Sequence, residues 1–220
     1  MMRENLRVRN SAEDYDRYTA SFVDFYDRGM ISSLQKRYES RAGAGTLIDI
    51  GTGTAQLLVK LAGVQELSAL NIIGTEFFDD MVERARETVR ESGLEDRIRI
   101  DKADVHDMPY PSDYARLIIS RSTVHHWANP VQAFREIYRL LQPGGVAIIH
   151  DLRRDAEEAA LRRFNEARER AGVGPTTLSE KFTGDEIVGL LAEAGIGASC
   201  EVRAPATGPG AVGMEICITK

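Results

Sequence analysis

The chain has 220 residues, 43% hydrophobic and 28% charged, with a net charge of −6; this suits one folded domain and argues against a nucleic-acid partner, which needs a concentrated basic surface. No stretch approaches the roughly 20 consecutive apolar residues of a membrane span, and the first thirty residues lack the apolar run of a secretory signal, so a cytoplasmic protein without a membrane partner is expected. Cys200 and Cys217 have no metal-ligand spacing and sit in apolar strand-like segments, as buried thiols do.

In chain order, Ser11 and Asp14 mark a helix start, and Tyr15, Tyr18, Phe22 and Phe25 recur on one helical face. A second helix covers Met30 to Tyr38. Thr46 to Ile50 reads as a buried strand stopped at Gly51, and residues 54–62 return to helical spacing. Asn71 to Thr75, Arg97 to Asp101, Ala115 to Ser120 and Val146 to His150 read as further strands. Asp79 to Ser92 and Pro130 to Leu141 read as helices, the latter broken by Pro143-Gly144-Gly145.

This alternation predicts an α/β, Rossmann-like doubly wound sheet, mostly parallel. After a helix over Asp185 to Ala194, residues 198–203 and 212–219 read as two strands. The link between them is too short for a parallel return, so an antiparallel C-terminal β-hairpin is expected. The whole chain reads as a single domain: a helical cap over 1–45, a core over 46–150, a helical insertion over 151–184, and the final helix and hairpin over 185–220. The insertion is charged, with Glu158/Arg162 and Glu166/Arg170 at i,i+4 and an apolar edge of Leu161 and Phe164, and is a candidate lid.

The sharpest local signal is LIDIGTGTAQLL, residues 47–58. A strand that enters a helix through Gly51 and Gly53 lets backbone approach a ligand closely, and the helix start offers unpaired N–H groups. A dinucleotide fingerprint needs a small residue at position 56, which is Gln. Asp49-Ile50-Gly51-Thr52-Gly53-Thr54-Ala55 instead resembles the Asp-x-Gly-x-Gly-x-Gly motif of class I S-adenosylmethionine-dependent methyltransferases. It differs at Ala55, a tolerated change if that residue keeps an ordinary negative φ.

Three more stations follow the same pattern. Ile72-Ile73-Gly74-Thr75-Glu76 ends a strand in an acid, whose carboxylate can accept from two ribose hydroxyls. Ala103-Asp104-Val105-His106-Asp107-Met108-Pro109 resembles the family's adenine station, where the Asp accepts from the amino group and the next N–H meets the ring. Ser120 ends the fourth strand, and residues 124–145 match the segment that follows it in the family. The resemblance thus implies an S-adenosyl-L-methionine site of Asp49, Gly51, Thr52, Gly53, Glu76, Phe77, Met81, Asp104, Val105, Ser120 and Arg121. Phe77 and Met81 are placed to flank adenine, or simply to pack.

His125 and His126 are adjacent and so cannot face one site from a single helix. With no third ligand near them, no metal is expected. The resemblance gives His-His-Trp a loop-organising role, yet His125, just beyond the fourth strand, is the better candidate base. Tyr18 is the hydroxyl to set beside it, on an aromatic stripe that serves as core or as cover. The expected function is methyl transfer to an unidentified small-molecule acceptor by in-line displacement. The alternative is a non-catalytic module that binds S-adenosylmethionine or S-adenosylhomocysteine and acts through a protein partner.

Overall fold

A computed structural model of the chain describes residues 24–38, 43–170, 172, 174–205 and 210–220. The order is α1 (Asp24–Tyr38), β1 (Gly45–Ile50), α2 (Gln56–Ala62), β2 (Leu70–Glu76), α3 (Asp79–Glu91), β3 (Ile98–Lys102), β4 (Ala115–Arg121), α4 (Pro130–Leu140), β5 (Leu141–Leu152), α5 (Glu158–Arg170), α6 (Gly184–Glu193), β6 (Cys200–Arg203) and β7 (Gly213–Thr219). Tyr15, Tyr18 and Phe22 lie outside the described residues.

The strands form one seven-stranded sheet in the order β3-β2-β1-β4-β5-β7-β6. β1 to β5 run parallel, while β7 pairs antiparallel with both β5 and β6. The expected doubly wound sheet with a terminal hairpin is therefore the observed one. Strand alternation builds a core on each face. Ile48, Ile50, Ile118, Ala147 and Ile149 point to one side, under α4 and α6. Leu47, Leu117, Ile119, Val146 and Ile148 point to the other, under α1, α2 and α3. Successive crossovers leave β1 toward β2 and then return to β4 on its opposite edge. That reversal opens a crevice at the carboxyl ends of β1 and β4, where open α/β sheets bind ligands.

Several details differ from the sequence expectation. Pro143-Gly144-Gly145 does not break the chain between elements but lies within β5, at a register shift between Ala115 and Leu117. Gly145 allows this, because a Cβ there would stand 2.8 Å from Gln142 O. The helix expected from Met30 already covers Asp24–Tyr38, and it buries Met30 and Leu34 fully. The insertion's helix α5 buries Ala160 and Phe164 against Ala211 and Val212, at the entry to β7. Ala55 is left-handed, at φ +63°, not at the negative φ expected. An L-residue there costs about 1–2 kcal/mol relative to its usual conformations, so the departure from glycine carries strain.

Candidate active site

The turn after β1 is hooked to β2: Gly51 N and Thr52 N both donate to Thr75 O at 2.9 Å. Gly51 and Gly53 have φ of +71° and +58°. A Cβ on Gly51 would stand 2.5 Å from Thr123 Cγ2, so the glycine also lets the loop after β4 close onto the turn. Ser120, fully buried, fastens the two ends together. Its hydroxyl donates to Ile50 O at 2.6 Å and meets Thr123 Oγ1 at 2.5 Å. The Ser120 side chain thus shapes the crevice through contacts inside the protein.

Glu76 ends β2 beside this turn. Its carboxylate accepts from Gly53 N at 3.1 Å, Phe77 N at 2.7 Å and Phe78 N at 3.3 Å. A carboxylate offers about four acceptor sites, so capacity remains for a ligand hydroxyl. Burial raises its pKa, and the three backbone donors oppose the rise. Phe77, 52% exposed, lines an open groove with Phe78, Asp79, Asp80 and Lys102. Met81 is buried.

Asp49 is only 2% exposed, and burial pushes its carboxyl up to about 7. The Thr52 hydroxyl and the Arg121 charge lower it in part; Glu76 and Asp27 add to the rise. Thr52 lies close without closing a well-formed hydrogen bond, and Thr54 Oγ1 and Arg121 Nε are likewise buried without partners among the described residues. Asp27 was not legible as a site neighbour. From α1 it faces Arg121 at 3.5 Å and accepts from Lys60 at 2.7 Å.

Beyond β3, Asp104 Oδ1 accepts from His106 N and from the His106 ring. His106 Nε2 accepts from Asn129 N at 3.1 Å, so the ring proton sits on Nδ1, facing Asp104. This couples the Asp104 loop to Asn129, the N-cap of α4. The Val105 N–H has no protein partner among the described residues, while the Val105 side chain is in the core.

His125 lies on a short turn after β4, reached through Ser122 at φ +58°. His125 Nδ1 meets both oxygens of Asp151, each at 2.9 Å, and the His125 backbone N–H donates to Asp151 at 3.3 Å. The two side chains are 6% and 1% exposed. An Nδ1–H donated to a carboxylate leaves Nε2 with its lone pair, the arrangement of an oriented general base. Contrary to the expectation from adjacency, the His125 and His126 rings converge, 3.9 Å apart at 47°. The tight turn permits what a regular helix would not. Enclosure by surrounding protein lowers the His126 pKa to about 4, helped by His125 and Lys181.

Sequence reasoning missed Asp151. The one available signal was an acid just past the fifth strand, in register next to the end of β4.

A methyltransferase-domain profile matches residues 48–149, from β1 to the end of the parallel sheet. That match spans just under half of the chain and takes in the Gly51–Gly53 turn, Glu76, Asp104 and His125. The chain is 32% identical over 123 residues to the methyltransferase GfsG of Streptomyces halstedii, covering 56% of this chain and 43% of that one. It is 26% identical over 156 residues to 27-O-demethylrifamycin SV methyltransferase of Amycolatopsis mediterranei, covering 71% and 55%. The chain spans about half the length of the curated relatives it matches. A solved structure from Methanococcus maripaludis, a candidate S-adenosyl-L-methionine-dependent methyltransferase, superposes with a TM-score of 0.70 at 28% identity. It covers 95% of this chain and 91% of that one. The [4+2]-cyclase SpnF shares the fold, with a TM-score of 0.59 at 21% identity over 80% of this chain and 58% of its own.

The crevice suits S-adenosylmethionine, the cofactor that the resemblance implies. Its buried Thr54 hydroxyl and Arg121 Nε have no hydrogen-bond partner among the described residues, and burial disfavours the ionised Asp49 carboxylate; an amino-acid end with an ammonium and a carboxylate offsets both. Among the described residues no helix is long and apolar enough to cross a membrane.

Proposed function

We propose that this chain transfers the methyl group of S-adenosylmethionine to a small-molecule acceptor, with His125 as the base. Asp49, Thr54 and Arg121 would hold the amino-acid end of the donor, the Gly51–Gly53 turn its middle, and Glu76 its ribose. Asp104, the Val105 N–H and Phe77 would hold adenine. When bound, the donor supplies an electrophilic sulfonium methyl whose departure leaves a neutral thioether.

The chain's own contribution is to align and to deprotonate. Fixing the acceptor in line with the methyl removes several kcal/mol of barrier through positioning. His125 Nε2 accepts the acceptor's proton, while Asp151 holds the ring's tautomer and stabilises the imidazolium that forms. A base oriented in this way adds roughly 10²–10⁴ in rate. Tyr18 remains a candidate acceptor contact on the sequence pattern alone.

The observation that carries this reading is the buried His125–Asp151 pair beside the glycine turn. A pure binding module has no use for an oriented imidazole, and a shared fold by itself does not specify a reaction. Two measurements test it. Calorimetry with S-adenosylhomocysteine and with NAD is expected to give heat only for the former, and the opposite result refutes it. Incubation with methyl-labelled donor and a small-molecule extract is expected to label at least one compound. A protein that binds the donor but labels nothing sinks the enzyme reading.

A further inference from the structure

Strand register sets a row of polar side chains across the face of the sheet that α1 covers. Arg121 pairs with His150 between β4 and β5, and His150 pairs with Glu215 between β5 and β7. Side chains at paired positions of neighbouring strands share a face, so the three stand side by side. α1 meets this row along one stripe, Asp27, Met30, Leu34 and Arg37, spaced three or four residues apart. Met30 and Leu34 fill the middle with apolar contact. At one end Ser33 and Arg37 donate to Glu215 at 2.6 Å and 2.7 Å, and Glu215 also meets His150 Nε2 at 3.1 Å. At the other end Asp27 accepts from Lys60 of α2 at 2.7 Å and faces Arg121 Nη2 at 3.5 Å.

The two ends differ. Both oxygens of Glu215 accept hydrogen bonds, so that end is closed. The Asp27 end is open. Asp27 is 1% exposed, yet its Oδ1 has no hydrogen-bond partner among the described residues, and neither has Arg121 Nε. Thr52 Oγ1 and Thr54 Oγ1, in the turn after β1, are buried in the same condition. Ser120 pairs with Ile50, which sets Arg121 beside the start of that turn. Four unpartnered atoms therefore gather where β1 and β4 end, three from the sheet and one from α1. A buried charged contact left without hydrogen bonds is costly, and a ligand carrying its own charged groups removes that cost.

From this placement we infer that Asp27 is a positioning residue for the donor: from α1 it orients the Arg121 guanidinium toward the donor's carboxylate, so that docking of α1 and binding of the amino-acid end favour one another. The inference rests on the donor site proposed above and adds to it a residue and a helix. Arg121 reaches Asp27 through Nη2, which leaves its Nε–H for the ligand. The rigid fork of a guanidinium makes such an orientation worth setting. Lys60 offsets the Asp27 charge, which would otherwise repel a carboxylate nearby. By linkage, whatever stabilisation the amino-acid end draws from docked α1, α1 draws from the donor.

The test compares two ligands on the full chain: S-adenosylhomocysteine, and 5′-methylthioadenosine, which keeps the nucleoside and the thioether but lacks the amino-acid end. Asp27→Asn is expected to weaken S-adenosylhomocysteine about tenfold by calorimetry and to leave methylthioadenosine within about twofold. With Arg121→Met already in place, Asp27→Asn should add less than about twofold, because Asp27 acts through Arg121. Wild type supplies a measurement independent of any variant's folding. Hydrogen exchange of the α1 amides should slow about tenfold with saturating S-adenosylhomocysteine and by less than about twofold with saturating methylthioadenosine. If Asp27→Asn binds neither ligand, this exchange decides alone. Undiminished S-adenosylhomocysteine affinity in Asp27→Asn, a matching partial loss for both ligands, or equal protection of α1 by both overturns the proposal. A wild type that binds neither ligand would instead defeat the donor site beneath it.

Discussion

Asp49→Asn isolates the electrostatic cost of the donor site. In the folded protein the Asp49 carboxyl titrates at about 7, against an ordinary value of 3.8. The folded state thus holds this proton more tightly than the unfolded chain, and stability falls as pH rises from the unfolded toward the folded value. The two values imply a loss of about 2 kcal/mol at pH 5 and about 4 kcal/mol at pH 8, so about 2–3 kcal/mol is lost between those points. Asparagine keeps the shape and removes the titration. The variant's stability relative to wild type should therefore rise by that amount from pH 5 to pH 8 and then level off.

Urea unfolding of both proteins without donor, at half-unit intervals of pH, measures the difference directly; other titrating groups cancel in the subtraction. Donor binding supplies the counterpart. An ammonium beside Asp49 favours the ionised carboxylate, so S-adenosylhomocysteine should stabilise wild type more at pH 8 than at pH 6. In the variant that gap should vanish, and affinity should drop at pH 8. Parallel stability curves for the two proteins across this range would refute both the elevated titration and the reasoning built on it.

Three further outcomes are expected. Glu76→Ala removes the acceptor for Gly53, Phe77 and Phe78 N–H as well as the proposed ribose contact, and should weaken S-adenosylhomocysteine binding about 100-fold, or about 2.7 kcal/mol, by calorimetry; unchanged affinity would remove Glu76 from the site. His125→Ala and Asp151→Asn should each lower turnover of the labelled acceptor by about 10² or more while leaving donor affinity within twofold, and Asp151→Asn should also move the alkaline-rising limb of the pH–rate profile; undiminished turnover in either variant would make the pair a scaffold. Gly51→Ala combines a left-handed residue with a Cβ 2.5 Å from Thr123 Cγ2, so a loss of about 2–4 kcal/mol in denaturant unfolding is expected. Adding Thr123→Ser, which deletes that methyl and keeps the hydroxyl, should recover the steric part only; no recovery would show that backbone strain dominates.

What the sequence made legible are the features written locally. The strands showed because alternation and abrupt glycine stops are read within a few residues. The segments proposed to hold the donor could be read because each is short and lies at the end of one strand. Asp151 did not show, because it meets His125 only through the pairing of β4 with β5, where Arg121 lies opposite His150. Asp27 was hidden for a related reason: a charge near the start of a chain reads as surface until α1 is seen to press it against Lys60 and Arg121. Ala55 was misread because a sequence fixes which residue replaces glycine but not the φ that the turn demands of it.

The charges of the crevice divide along the same line as the topology. Asp49, Glu76 and Asp104 come from the carboxyl ends of β1, β2 and β3, on one side of the chain reversal. His125, His126 and Asp151 gather at the ends of β4 and β5, on the other. A ligand that carries a positive sulfur and an ammonium is favoured against the first group, and a hydroxyl that can give its proton to His125 Nε2 against the second. On the proposed reading, the electrophilic methyl and the nucleophilic oxygen are therefore drawn toward the boundary between them, at Gly51 and Thr123, where the buried Ser120 hydroxyl ties the two halves together. Loosening that tie, as Gly51→Ala should, would then disturb the alignment of both reactants and not the affinity for either one alone.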